Sequence, residues 1–229
     1  MTNDDSSGSR YTRHSRDDVV AAALAILDQH GLPDLTMRRL AATLDVQPSA
    51  LYWHFANKQT LLASVADQIV ARARPAGAGS GWADDSGADD AGALSSGWAD
   101  ATRVEADALR DALLAFRDGA EVVSSTLALG LGAGEAMTRL TGAIDGGGFD
   151  RRTSEIAAAA VLHFVLGHVS HEQQRLQADS LGVVAAGQSA DPSDVATSAR
   201  GREAFDFGIT LLLTGLAELA PARLSESPA

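Results

Sequence analysis

The sequence contains no cysteine among its 229 residues. Disulfide frameworks, thiolate nucleophiles and cysteine-ligated metals are therefore excluded. Long apolar runs are also missing, since the longest, residues 156–169, is interrupted by His163 and His168 and is shorter than the roughly 18 residues of a spanning helix. Residues 1–16 lack the basic and then apolar pattern of a signal peptide. We therefore expect no membrane span and a cytoplasmic location.

Basic side chains are scarce, with 18 Lys and Arg against 30 Asp and Glu and a net charge of -12. An even spread of this charge would oppose binding to nucleic acid, because contact with a polyanion begins with a positive surface. The spread is uneven, since residues 10–74 hold 8 basic and 6 acidic side chains whereas residues 75–229 hold 10 and 22. The first third therefore favours a DNA-facing role, although a segment this short carries little statistical weight by itself.

Apolar residues recur at helical spacing through most of the chain, and no useful length alternates with the period of two that is typical of strands. The pattern predicts an all-α fold of nine or ten helices. We expect helices at 16–30, 37–44, 47–54, from Asn57 onward, 98–116, 121–126, 132–144, 154–177 and 201–219, with a short helix near Ser193 as an additional candidate.

Capping residues mark several of these boundaries. Ser15 and Thr36 precede helices as N-caps, and we expect Thr153 or Ser154 to cap the long helix. Asp45 lies between two short helices, where glycine is usual. Aspartate fits there because its short polar side chain tolerates the left-handed conformation.

Composition divides the chain into a small and a larger domain. Residues 75–96 are rich in Gly, Ala, Ser and Asp and offer little to bury, which predicts a flexible loop. The loop separates a helical domain at residues 14–74 from a second one at residues 97–221. We expect residues 1–13 to be a disordered N-terminus and residues 222–229 a tail.

The first domain contains two short helices that meet at a tight turn and have a longer helix on either side, as in a helix-turn-helix. In that motif the second short helix lies in the major groove with its N-terminal residues at the base edges. Gln47 can bond a base edge and Ala50 can contact a thymine methyl group. The alternative is a scaffold in which Trp53 and Phe55 are ordinary core aromatics. The residues at the tip of the second helix are Gln47, Pro48, Ser49 and Ala50.

Several runs of residues carry a family resemblance, which extends over most of the chain. These runs are Leu35–Ala41, Ala50–Phe55 with Asn57 and Lys58, Ala112–Ala120, His163–Gly167 and Gly201–Phe205. They resemble the tetracycline-repressor (TetR) family, including a tetracycline-repressor-like C-terminal domain. The resemblance implies a dimeric transcriptional regulator, a repressor in most cases, that binds a near-palindromic double-stranded DNA operator and is released by a small-molecule inducer. By the resemblance, the DNA-facing residues are Thr36, Arg38, Gln47, Pro48, Ser49, Ala50, Tyr52, Trp53, His54 and Lys58.

The resemblance also implies an effector site in the larger domain, which holds a drug-magnesium chelate in the tetracycline repressor. Thr126 and His163 match that site, but Val123 replaces its metal-bound histidine and His171 its acidic residue. A hard cation loses most of its site under these changes, because it prefers oxygen ligands. We therefore expect an effector other than magnesium-tetracycline, and no cofactor or metal. The candidate effector-binding residues are Glu105, Leu109, Val123, Thr126, His163 and His171.

Three residues of the long helix, His168, His171 and Glu172, face roughly alike and are compatible with a metal or an acidic ligand. Surface histidines near a helix end are commoner than ligands, and the spacing is not that of a zinc protease. The same histidines carry the alternative of a small-molecule enzyme, but no oriented acid-base pair and no cofactor motif accompany them. We therefore do not expect an enzyme. The remaining alternative is a helical small-molecule carrier without a DNA-binding role.

Apolar residues of the last helix recur at alternating steps of four and three, which is typical of a helix packed lengthwise on others. The resemblance implies that this helix and the long helix pair with those of a second copy. The alternative is that the stripe belongs to the core of one chain. The candidate dimerisation residues are Ala157, Val161, Phe164, Phe205, Ile209, Leu212 and Leu216.

Overall fold

The computed structural model describes residues 14–73, 93–180 and 194–219. Within these ranges the chain is helical and contains no strand, which confirms the predicted all-α fold. The expected disordered N-terminus, most of the flexible loop and the tail lie outside the described residues. The helices are α1 (Arg16–His30), α2 (Met37–Thr43), α3 (Pro48–Leu51), α4 (Lys58–Ala71), α5 (Ala93–Leu114), α6 (Gly119–Ala128), α7 (Gly134–Asp145), α8 (Arg151–Ser180) and α9 (Asp194–Glu218).

Local hydrogen bonds set the starts of α1, α2 and α4. The Ser15 hydroxyl accepts from the Asp18 N–H at 3.1 Å, while the Asp18 carboxylate accepts from the Ser15 N–H at 2.8 Å. The side chains of Thr36 and Asn57 cap α2 and α4 in the same way. Asp45, between α2 and α3, has a φ of 52°, the left-handed conformation expected for it. These caps hold the two short helices of the first domain between α1 and α4.

The second short helix differs from the prediction. It ends at Leu51 rather than His54, and Gln47 is its N-cap rather than its first residue. The N–H groups of Trp53 and His54 donate to the Ala50 and Leu51 carbonyls, three residues back. Such bonds tighten the backbone into a turn and stop the helix. The segment after α3 is therefore a turn that leads into α4.

Three helices of the larger domain begin three or more residues before the predicted start. α5 begins at Ala93, inside the predicted loop, and α9 begins at Asp194 instead of residue 201. α8 begins at Arg151, because the Asp150 carboxylate, rather than Thr153 or Ser154, caps it by accepting from the Thr153 N–H at 3.1 Å. These bonds with Thr153 lower the pKa of the Asp150 carboxyl.

The long helix α8 is the centre of the larger domain. It packs against α5, α6, α7 and α9, and it buries Val161, Val165 and Val169 fully or nearly so. By length and composition, the Arg151–Ala178 part of α8 could cross a membrane. This finding differs from the expectation that no segment is long and apolar enough to do so. A core helix of a soluble protein meets the same criterion, and α8 packs on four neighbouring helices among the described residues.

The turn between α5 and α6 leaves no room for a side chain at Gly119. A Cβ atom there would lie 2.4 Å from the Leu113 carbonyl oxygen, whereas a Cβ at Gly142, within α7, would meet no atom within 4 Å. We therefore expect Gly119→Ala to lower the free energy of unfolding by about 1–3 kcal/mol, as overpacking does. Gly142→Ala is expected to raise it by up to about 1 kcal/mol, since alanine favours a helix interior.

Urea unfolding of the two variants tests this expectation. Equal midpoints for Gly119→Ala and the parent chain would contradict the close packing of the turn. Gly142→Ala is the matched control, because it makes the same chemical change on an open helix face.

Candidate nucleic-acid interface

The tip of α3 projects from the first domain because the residues behind it are anchored in the core. Leu51 and Phe55 are each 1% exposed, whereas Gln47, Pro48 and Ser49 are exposed. The Gln47 side chain makes no capping bond although the residue is the N-cap. Its amide is therefore free to donate to and accept from an external group.

Two arginines at the start of α2 differ in what they contact. Arg39 forms an ion pair with Asp34, whereas Arg38 is exposed and has no ion-pair partner among the described residues. Thr36 is also exposed, and its hydroxyl oxygen accepts from the Arg39 N–H at 3.1 Å. Because Asp34 forms its ion pair with Arg39, it does not neutralise the charge of Arg38. The unpaired positive charge of α2 therefore lies on the helix that contacts α3.

The turn between α3 and α4 carries two exposed aromatic side chains. Trp53 is 90% exposed and Tyr52 is 53% exposed, so neither is a core aromatic. Phe55 is buried, with the Arg16 guanidinium 4.8 Å from its ring centroid, which makes the core alternative correct for Phe55 and wrong for Trp53. His54, in this turn, and Lys58, the first residue of α4, are half-buried. Hydroxyl, imidazole and ammonium groups of this kind are suited to phosphate contacts.

The first domain is joined to the larger one by a carboxylate that the sequence analysis did not single out. Asp118, which is 9% exposed, accepts from the Leu32 N–H at 2.8 Å across 86 residues of sequence. Its φ of 56° is left-handed and places it before α6 as the N-cap. Gly31, at a φ of 84°, leaves space for this approach, since a Cβ there would lie 2.8 Å from Asp118 Oδ2. In the sequence, the one signal for this contact is the position of Asp118 directly before Gly119, at the start of a helix.

Two glutamines of α8 hold the same turn from the other side. The Gln173 amide donates to the Leu113 and Phe116 carbonyls at 3.0 and 2.7 Å, and its oxygen accepts from the Ala120 N–H at 3.3 Å. The Gln177 amide donates to the second oxygen of Asp118. Polar contacts thus run from α8 through the α5–α6 turn to the chain segment after α1.

A second joint links α4 to the turn before α7. Asp67 accepts from the Ala133 N–H at 3.0 Å, and Arg139 donates to the Val70 carbonyl at 3.2 Å. Arg139 also lies 3.2 Å from the Glu105 carboxylate. Burial raises the pKa of Glu105, and the positive charge of Arg139 opposes that shift. The first domain is therefore tied to the larger one at two places, directly after α1 and along α4.

The predicted effector residues fall into two groups. Leu109, Val123 and Thr126 are buried on α5 and α6, and Glu105 is half-buried nearby on α5. The Thr126 hydroxyl donates to carbonyls of its own helix. The other two residues, His163 and His171, are exposed on α8 and lie outside this group.

The predicted dimerisation stripe faces two directions. Phe205 and Ile209 are fully buried, and Val161 and Leu216 are at most 8% exposed, so these four belong to the chain's own core. The remaining three, Ala157, Phe164 and Leu212, are half-buried. The burial of these four residues agrees with the alternative of a single-chain core, because α9 packs that face against α8, and the dimer contact itself stays a prediction.

The histidines singled out for metal binding have other contacts. Glu172 receives the Arg110 guanidinium at 2.9 and 3.0 Å, and His168 Nε2 lies 3.0 Å from the Gly201 carbonyl. Within the described ranges, no group of three His, Asp or Glu side chains is arranged to hold a metal ion.

Comparison with known proteins places this geometry in context. Residues 19–65 match the family model of bacterial regulatory proteins of the TetR family, and residues 91–220 match that of the tetracyclin repressor-like C-terminal domain. The chain is 32% identical over 207 residues to the tetracycline repressor protein class E of Escherichia coli, which covers 89% of this chain and 90% of that protein.

Two solved structures are also similar. BioQ of Mycobacterium smegmatis has 41% identity and a TM-score of 0.71, over 90% of this chain and 98% of that one. A structure of BioQ with its double-stranded DNA operator has 40% identity and a TM-score of 0.65, over 89% and 98% of the two chains.

The Asp118 joint can be tested by removing its carboxylate without straining the backbone. Asp118→Gly keeps the left-handed conformation accessible but leaves the Leu32 N–H without its acceptor. We expect a loss of about 1–3 kcal/mol in the free energy of unfolding and faster amide exchange at Leu32. Asp118→Asn retains an acceptor oxygen and is the matched control, with a smaller effect on both measurements. Unchanged Leu32 exchange in Asp118→Gly would contradict the joint.

Proposed function

The chain belongs to the TetR family of bacterial regulatory proteins and is a DNA-binding transcriptional regulator, and from that premise we propose that it is a dimeric repressor released from its operator by a small molecule. The observation that carries the proposal is the exposed tip of α3 together with the exposed Arg38 of α2, the helix that contacts α3. Since bacterial DNA lies in the cytoplasm, the proposal also assigns the protein to that compartment.

DNA recognition is proposed to divide between two sets of side chains. Gln47 and Arg38 have unused donors at the tip, which suits contact with base edges. Tyr52, Trp53 and Lys58 flank the tip and suit contact with the phosphate backbone. Thr36 and His54 are assigned to the same backbone contacts, and Pro48, Ser49 and Ala50 allow close approach to the groove. Two copies of this surface, about 34 to 36 Å apart, would occupy successive major grooves of a near-palindromic site.

The second copy is proposed to pack on the outer faces of α8 and α9. Ile156, Phe207 and Leu211 are 60%, 65% and 58% exposed there, which is unusual for large apolar side chains of one helix pair. Between the helices runs a groove of about 360 Å³ lined by Thr153, Ile156, Ala157, Ala160, Val161, Leu212, Leu216 and Leu219. A second copy is the proposed occupant, since the family resemblance pairs these two helices with their symmetry mates. Ala157, Phe164 and Leu212 remain in the proposed interface.

The effector is proposed to bind among α5 and α6, near Glu105, Leu109, Val123 and Thr126. These positions lie next to the joints that tie the first domain to the second, so a ligand that favours one arrangement of α6 would shift the spacing of the two DNA-binding surfaces. The proposed effector is not magnesium-tetracycline, because Val123 offers no metal ligand and the Thr126 hydroxyl is directed to its own helix.

The proposed division of DNA contacts predicts two kinds of variant. Tyr52→Ala and Lys58→Ala are expected to weaken binding to all duplexes, and Lys58→Ala to reduce the salt slope by about one. Arg38→Ala and Gln47→Ala are expected to change sequence preference, with a loss of about 1–3 kcal/mol confined to particular base pairs. Arg152→Ala, an exposed change on α8, is the control.

Band shifts with the chain's own upstream DNA and with single-base operator variants measure both effects. An equal loss of affinity for every duplex in all four variants would contradict the proposed division between backbone and base contacts. The absence of any duplex preference at low ionic strength would contradict the regulator itself.

The proposed dimer face predicts that one charge separates the two copies. Leu211→Glu places a carboxylate on an exposed apolar face of α9, so we expect it to sediment as a monomer at micromolar concentration while the parent chain sediments as a dimer. Leu129→Glu, which changes a leucine of similar exposure (55%) after α6, is expected to remain dimeric. A monomeric parent chain, or a dimeric Leu211→Glu variant with normal helix content, would contradict this face.

A further inference from the structure

The groove between α8 and α9 is divided into two compartments. Phe164 packs directly on Gly208, where a Cβ atom would lie 2.2 Å from the ring. On one side lies the apolar compartment already assigned to the second copy. On the other is a separate cavity of about 160 Å³ lined by His168, His171, Glu172, Arg175, Leu176, Arg200, Gly201 and Ala204. We propose that this second cavity binds a small organic acid, with one carboxylate on a compact apolar body.

The described lining of the cavity is positive although the chain as a whole is acidic. Glu172, the one carboxylate among the described lining residues, receives the Arg110 guanidinium at 2.9 and 3.0 Å, and the Arg110 side chain is 8% exposed. The negative charge of Glu172 is therefore already balanced by Arg110. Arg175 and Arg200 are exposed and have no ion-pair partner within the described ranges. Two guanidinium groups are thus left to attract an anion.

The histidines orient further polar groups toward the same space. His168 Nε2 lies 3.0 Å from the Gly201 carbonyl and 4.0 Å from Glu172 Oε2, and its ring packs edge-on to Phe205 at 5.4 Å between centroids. These contacts fix the orientation of the ring. His171 is exposed and has no hydrogen bond within the described part of the chain, so its ring is free to donate. Arg200 comes from α9, which places donors on both walls.

The remaining lining is small and apolar, which selects against a bare inorganic anion. Leu176 forms one wall, and the lack of side-chain bulk at Gly201 and Ala204 leaves the space open. A Cβ at Gly201 would already lie 3.2 Å from Glu172 Oε1. The volume is similar to that of an engineered cavity of about 150 Å³ that holds benzene. An acid with an apolar body of that size would satisfy the guanidinium groups and cover the apolar wall together.

This assignment replaces the metal suggested by the sequence pattern. A cation would meet two uncompensated guanidinium groups and a carboxylate whose oxygens both accept from Arg110. The cation and the guanidinium groups would repel each other, whereas guanidinium and carboxylate groups match in geometry. The pattern of His168, His171 and Glu172 therefore contributes to an anion site. The site does not require the chain to bind DNA.

Calorimetric titration of the full chain with benzoate at low ionic strength tests the proposal. We expect one benzoate per chain, with an affinity at least tenfold above that of two controls. Benzyl alcohol keeps the body without the charge, and inorganic phosphate keeps the charge without the body. Absence of benzoate binding, or equal binding of benzyl alcohol, would overturn the proposal, and tighter binding of phosphate would overturn the assignment to an organic acid.

Variants locate the binding to this cavity. Arg175→Gln combined with Arg200→Gln is expected to lower benzoate affinity at least tenfold, and Ala204→Leu is expected to abolish binding by filling the space. Arg152→Gln makes the same change of charge elsewhere on α8 and is expected to bind as the parent does. Unfolding midpoints without ligand show that each variant is folded. Unchanged affinity in both the double variant and Ala204→Leu would overturn the proposal, because benzoate would then bind elsewhere.

Discussion

The carboxylate of Asp118 ties the segment after α1 to the larger domain, beside the packing of α4 on α5, α6 and α7. It accepts from the backbone of Leu32 in the first domain and from Gln177 of α8 in the second. Hydrogen bonds to an ionised acceptor are stronger than neutral ones, and this acceptor is 9% exposed, so water competes little for it. A displacement of α6 must therefore carry the segment after α1 with it or break these bonds. The orientation of the α3 tip is in this way tied to the packing of α8.

The excess of acidic residues lies after residue 74, where 22 acidic side chains accompany 10 basic ones, whereas residues 10–74 hold 8 basic and 6 acidic side chains. In the larger domain Glu172 pairs with Arg110 and Asp107 with Arg202, each at 2.9 Å. In the first domain Asp34 is paired with Arg39, which leaves Arg38, on the helix next to α3, without an ion-pair partner among the described residues. The field near the tip is thus set by a few unpaired charges over a short distance. Because salt screens such charges within about 10 Å at 0.1 M, binding to the phosphate backbone depends strongly on ionic strength.

Local features of the structure were predictable from the sequence, and long-range ones were not. Ser15, Thr36 and Asp45 adopt the expected roles because capping and left-handed conformation depend on neighbouring residues. The side of α9 that is buried within one chain could not be read from the pattern, because α9 is apolar on two sides and its packing on α8 buries Phe205 while Phe207 is 65% exposed. The contact between Asp118 and Leu32 spans 86 residues, and no periodic pattern encodes it.

The two compartments of the α8–α9 groove place opposite demands on a second copy. Covering the apolar compartment makes dimer formation more favourable. Covering the basic compartment makes it less favourable, because burying Arg175 and Arg200 without a counter-ion costs free energy. An organic acid bound beside Arg175 and Arg200 would supply that counter-ion and remove the free-energy cost of burying them. If the second copy covers both compartments, dimer formation and acid binding must therefore favour each other, by the same factor in both directions.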